Sequence, residues 1–209
     1  MKKKYTNIDF IDPIRKKLCP LFEGGIDFNR KGSVYTIQGT EQAENRVDDQ
    51  NELINIKYWF CDIWVYIRID VLRDDENKSF HPSVSISFFQ KIDKYFIQLL
   101  RAEWHNFQSI EGYNHPQPHW HITEGAALEK LFENLLYDGK SNDDLMINIE
   151  IINEWKKKLL NINIIHLAMS GSWINDGKMI SARADINIIT EWIYQLLIHL
   201  RKEIEYANS

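Results

Sequence analysis

Between residues 83 and 88 the chain alternates strictly, with Ser83, Ser85 and Ser87 interleaved among Val84, Ile86 and Phe88. Side chains two apart on a strand share a face, so this pattern predicts a half-buried β-strand. Residues 56–72 carry the same signal: Val65, Ile67, Ile69 and Val71 on one side, Tyr66, Arg68 and Asp70 on the other. This stretch is rich in β-branched and aromatic residues, which suits a pleated surface. Residues 95–106 continue the alternation less cleanly, Ser33 to Ile37 reads as a strand, and His119 to Thr123 as a short last one. The polar stretch Thr40 to Asn55 reads instead as a loop or an exposed helix. Four or five strands joined as an antiparallel meander are expected.

Helical spacing brackets the strands. Ile11, Ile14, Leu18 and Leu21-Phe22 predict a short N-terminal helix, with Pro13 in its first turn and Pro20 or Gly24-Gly25 at its end. Beyond residue 123 the period changes. Ala126, Ala127, Leu131 and Leu135 fit a helix stopped near Gly139, and residues 143–160 suit a second. Residues 162–173 read as a strand or a buried connector. Ile188, Ile189, Trp192, Ile193, Leu196, Leu197 and Leu200 predict a long amphipathic final helix. Strands followed by helices imply the α+β class, with helices on one face of the sheet. A single domain over 1–209 is expected: an N-terminal helix and basic arm over 1–31, a sheet over 33–123, and a mainly helical part over 124–209.

Composition narrows the class. The 209 residues are 44% hydrophobic and carry a net charge of −5. A full core is within reach, and bulk disorder is excluded. No apolar run approaches the ~18 residues of a membrane span. Two cysteines, Cys19 and Cys61, make neither a disulfide framework nor a four-thiolate zinc site, so a cytoplasmic setting is expected. Cys61 reads as packing within an aromatic strand. Residues 1–31 hold eight Lys or Arg against four acids, while the remainder is acidic. An acidic body is a poor general platform for nucleic acid. There is no glycine-rich phosphate loop and so no sign of a nucleotide cofactor.

Chemistry concentrates in one place. Four of the seven histidines, His105, His115, His119 and His121, fall within seventeen residues. On strands, His119 and His121 project together, as do Glu103 and His105, with Trp104 and Trp120 on the reverse side. If the two segments pair, their imidazoles and carboxylate converge on one patch. Such a donor set suits a divalent metal, Zn or Mn, with His119 and His121 as ligands and His105 or Glu103 completing the shell. His115, framed by Pro116 and Pro118, is a candidate general acid–base. His166 and His199 read as core histidines, and His81-Pro82 as the start of a strand.

Pro118-His119-Trp120-His121-Ile122 resembles the histidine–hydrophobe–histidine motif of the HUH endonucleases. That resemblance implies a divalent metal held by His119 and His121 against a scissile phosphate, and a helical tyrosine nucleophile. Tyr194 on the final helix is the first candidate and Tyr137 the second. His115-Pro116-Gln117-Pro118-His119-Trp120-His121 is also similar to a segment of uncharacterised bacterial proteins encoded near phage-defence and mobile-element genes. It implies membership of a multi-component system. Two functions follow as expectations: a metal-dependent phosphoester hydrolase or nuclease-like enzyme, and a non-catalytic binding or scaffold subunit with a structural histidine cluster. The abundant aromatics and long final helix suggest a protein partner or homodimer.

Overall fold

A computed structural model describes residues 8–47, 50–74, 79–105, 118–122, 153–154, 156–160, 165 and 186–207. The strands are β1 (Phe28–Lys31), β2 (Val34–Ile37), β3 (Glu41–Val47), β4 (Gln50–Phe60), β5 (Ile63–Asp74), β6 (Ser79–Ile92), β7 (Tyr95–His105) and β8 (His119–Ile122). They pair antiparallel in the order β1-β2-β5-β6-β7-β8, with β4 also paired to β5 and β3 to β4. Helix α1 (Ile8–Leu18) runs into a 3-10 turn at Cys19–Leu21, and α2 (Ile186–Ala207) is the long final helix. The fold is thus of the α+β class. Residues 153–154 and 156–158 are helical, within the second expected helix. The helix expected over Ala126 to Leu135, most of the 162–173 connector, and His115, Tyr137 and His166 lie outside the described residues.

Among the described residues eight strands exceed the four or five expected, and the excess has three sources. The described residues of Thr40 to Asn55 form not a loop or an exposed helix but most of the β3–β4 hairpin, paired from Glu41↔Ile56 to Val47↔Gln50. The stretch 56–72 is two strands joined at Cys61 and Asp62, whose φ angles of 45° and 58° make the tight left-handed turn of a two-residue hairpin. Cys61 is therefore an exposed turn residue and not packing within a strand. Strand β1 has no buried residue and so left no alternation to detect. Pro13 falls inside α1 rather than in its first turn; burial of Ile14 and Leu18 on either side of the next turn holds the helix together.

The two faces of the sheet differ. One face carries Ile67, Ile69, Val84, Ile86, Ala102 and Trp104, all buried. Helix α2 covers it: Trp192 meets Trp104 edge-on with ring centroids 5.7 Å apart, and Ile193, Leu196, Leu197 and Leu200 are fully buried. Helix α1 lies beside α2, tied by Lys17 Nζ to Glu191 Oε2 at 3.0 Å. Trp104 is 2% exposed, so Trp104→Ala is expected to cost ~3–5 kcal/mol of stability through the cavity it leaves, read as a lower urea midpoint.

The opposite face is polar. Across it run Tyr66, Arg68 and Asp70 on β5, Ser83, Ser85 and Ser87 on β6, and Arg101 and Glu103 on β7, in register. The β3–β4 hairpin folds back over the middle of this face. Ala43, Asn45, Ile54 and Ile56 point inward and are buried, and Ser87 Oγ donates to Asn45 Oδ1 at 2.8 Å. The chain reaches the hairpin through Gly39, directly against the backbone of Ile56. The hairpin therefore supplies a second, partly polar layer, which leaves the β7–β8 corner of the face for the histidines.

Candidate metal centre

Strand β8 pairs with β7 so that His119 stands opposite Glu103 and His121 opposite Arg101, with Trp120 opposite Ala102 on the reverse side. Alternation does the rest. Both imidazoles and the carboxylate emerge on the polar face, while Trp104 and Trp120 belong to the helix-covered core.

The three donors meet closely. His119 Nε2 and His121 Nε2 are 2.8 Å apart, His121 Nε2 is 3.0 Å from Glu103 Oε2, and His119 Nε2 is 3.5 Å from the same oxygen. Donors on bonds of ~2.0–2.1 Å around one ion would stand ~2.9–3.4 Å apart, depending on whether the angles are octahedral or tetrahedral. The observed edges bracket that range, so Glu103, His119 and His121 can hold a metal ion. Proton counting points the same way. Each neutral imidazole presents either a proton or a lone pair at Nε2. A single ring proton can bridge two of the three atoms but leaves lone pairs facing one another, whereas one cation satisfies all three.

The surroundings hold the carboxylate in place. Glu103 is 7% exposed and Arg101 4%. Arg101 Nε lies 2.8 Å from Glu103 Oε1, and Ser85 Oγ donates to the same oxygen at 3.5 Å. Oε1 is thus directed to β6 and Arg101, and Oε2 to the imidazoles. Access is graded: the His121 side chain is 45% exposed and that of His119 20%, so the site opens to solvent on the β8 side. Farther along the face, burial foremost pushes the Tyr66 phenol up to about 12, with Glu52 adding to the effect, so Tyr66 is a neutral hydroxyl. Its neighbour Arg68 is held firmly cationic, chiefly by its hydrogen bond to Asp70 at 2.9 Å.

Three of the four expected ligands, Glu103, His119 and His121, are therefore brought together. His105 ends β7 opposite Ser83, on the same face by register, and its backbone alone is described. Tyr194 is not brought to the centre. It sits half-buried on α2 beneath Lys17 Nζ, 4.3 Å from its ring centroid, and α2 packs on the opposite face of the sheet. Arg101 and Ser85 escaped sequence reasoning. Arg101 was detectable in principle, because it precedes Glu103 by two residues and shares its face. Ser85 carried no such signal, because a serine alternating with apolar residues looks like any solvated strand position. Comparison with family models, with curated proteins and with solved structures finds no match for this chain.

Proposed function

We propose that this protein is a divalent-metal-dependent hydrolase acting on phosphoesters, with Glu103, His119 and His121 as the protein ligands. The convergence of Oε2 with two Nε2 atoms, all within 3.5 Å, carries the reading. Three protein donors are what catalytic zinc sites use, leaving further positions for water and substrate. A bound ion there lowers the pKa of its water and stabilises charge on a phosphoryl oxygen. With Tyr194 behind the sheet, water is the nucleophile this reading favours, and His115 remains the proposed acid–base.

Protein purified without a histidine tag should carry close to one Zn or Mn per chain by elemental analysis after reconstitution. It should also hydrolyse bis(p-nitrophenyl) phosphate in a metal-dependent way. His119→Ala and His121→Ala should each weaken metal uptake at least ~tenfold without unfolding the chain. Less than about a tenth of an ion per folded chain removes the metal reading.

One observation favours the second function, a binding or scaffold subunit. The His121 to Glu103 contact at 3.0 Å is a hydrogen bond in its own right and can simply fasten β8 to β7. That account is left standing if His121→Ala lowers the melting temperature while the parent takes up no metal.

A further inference from the structure

Resting on the metal centre proposed above, we infer that Arg101 is a positioning residue that confines Glu103 to ligation through a single oxygen, which keeps a further position open on the ion. A carboxylate can grip a divalent ion with one oxygen or with both. What decides between these modes is whether the second oxygen is already engaged. Glu103 stands opposite Ser85 on one side of the ladder and opposite His119 on the other. Its Oε1 lies 2.8 Å from Arg101 Nε and accepts from Ser85 Oγ at 3.5 Å. Its Oε2 lies 3.0 Å from His121 Nε2 and 3.5 Å from His119 Nε2. To chelate, the carboxylate would have to turn Oε1 away from a guanidinium that is always charged and only 4% exposed. Parting a buried ion pair is costly, so the carboxylate keeps its setting. An engaged Oε1 is all this requires, whatever else the two side chains touch.

The consequence is a count of bonds. Glu103, His119 and His121 offer one ligand atom each, and a chelating Glu103 would add another. Manganese prefers an octahedral shell, so every protein bond saved is a position for something else. Hydrolysis at a metal ion uses such positions for a phosphoryl oxygen and for the attacking water. The 45% exposed His121 side chain marks the side on which solvent reaches them. A guanidinium has no lone pair to give the ion. Arg101 therefore acts through Glu103, as the outer partners of metal ligands commonly do.

The test counts water on the ion. Mn²⁺ bound to the full chain is compared in ordinary and ¹⁷O-enriched water, where each bound water broadens its paramagnetic resonance lines. Losing an outer partner typically weakens binding ~10–100-fold, so the chain is kept in excess over the ion. Arg101→Met, with Oε1 released, should hold one water fewer than the parent. Trp104→Ala, which opens a cavity on the opposite face, should keep the parent's count. An unchanged count in Arg101→Met, with or without weaker Mn²⁺ binding, is the mark of a merely structural role and overturns the inference. The same loss of water in Trp104→Ala overturns it too. If Arg101→Met does not fold, infrared spectra of the parent decide. On Mn²⁺ binding, the splitting between the antisymmetric and symmetric carboxylate stretches should stay as wide as in the metal-free chain or widen. Narrowing would mean chelation, which sinks the inference and leaves the metal centre intact. No Mn²⁺ uptake by the parent sinks the metal centre itself.

Discussion

Glu103→Ala should destabilise the protein by ~3–5 kcal/mol, the cost of breaking a buried ion pair by removing one partner. The partner that loses this contact is Arg101, 4% exposed. The side chain removed also receives Ser85 Oγ on one oxygen and faces His119 and His121 with the other. Glu103→Gln keeps the shape and one acceptor oxygen but loses the charge. It should therefore unfold less readily than Glu103→Ala, yet lose metal affinity at least ~tenfold, because a carboxylate ligand has become a neutral amide. Urea denaturation and metal titration of the two variants separate the structural share of Glu103 from its share in binding. A Glu103→Ala protein with the parent's urea midpoint would show that the Arg101 pair contributes nothing to the fold.

Gly39→Ala should be comparably damaging, for a steric reason. A Cβ placed on Gly39 would stand 2.4 Å from both the nitrogen and the oxygen of Ile56, and 2.5 Å from its carbonyl carbon. These are backbone atoms in a paired strand, and they cannot rotate aside as a side chain would. Ile56 also accepts the amide of Thr40 at 3.0 Å, so the added methyl group must push β4 from the incoming chain. The cost should reach or exceed the ~1–3 kcal/mol typical of overpacking. It should be concentrated in the hairpin: amide exchange at Ala43, Asn45 and Ile54 should accelerate more than at Ile67 or Ile86. Uniform exchange with no fall in stability would contradict the close approach.

The same hairpin marks where sequence patterning stopped being informative. Its inward positions are Ala43, Asn45, Ile54 and Ile56. Two of these four are a small residue and an amide, and Leu53 points outward at 64% exposure. A period-two signal built on such residues is too faint to read, since the strand is held by what it covers rather than by its own composition. Strands β5 and β6 were legible because both their faces are strongly marked, apolar against α2 and polar beneath the hairpin. The final helix was legible because eight of its residues are buried at helical spacing.

Strand β7 shows a subtler obstacle. Phe88 stands opposite Leu100 and Phe89 opposite Gln98, so Leu99 is an extra residue without a partner. A bulge of this kind reverses the odd–even assignment. Phe96 and Gln98 thus share a face with Arg101 and Glu103 although their numbers differ in parity. No single phase fits residues 95–106, which is why the alternation there looks blurred. The candidate site itself was legible because it lies wholly to one side of the bulge. There Glu103 and the pair His119 and His121 obey one simple rule of projection, and only the register that faces them across the ladder had to be supplied by the fold.

Strand β8 is four residues long and meets β7 only from Leu100 to Glu103. So brief a ribbon has little grip of its own. An ion gripped by His119 and His121 on one side and Glu103 on the other would act as a rivet between the last two strands. Chelators would then do more than silence chemistry: they would unfasten β8 from β7, and the first sign of metal loss would be proteolysis within β8 itself.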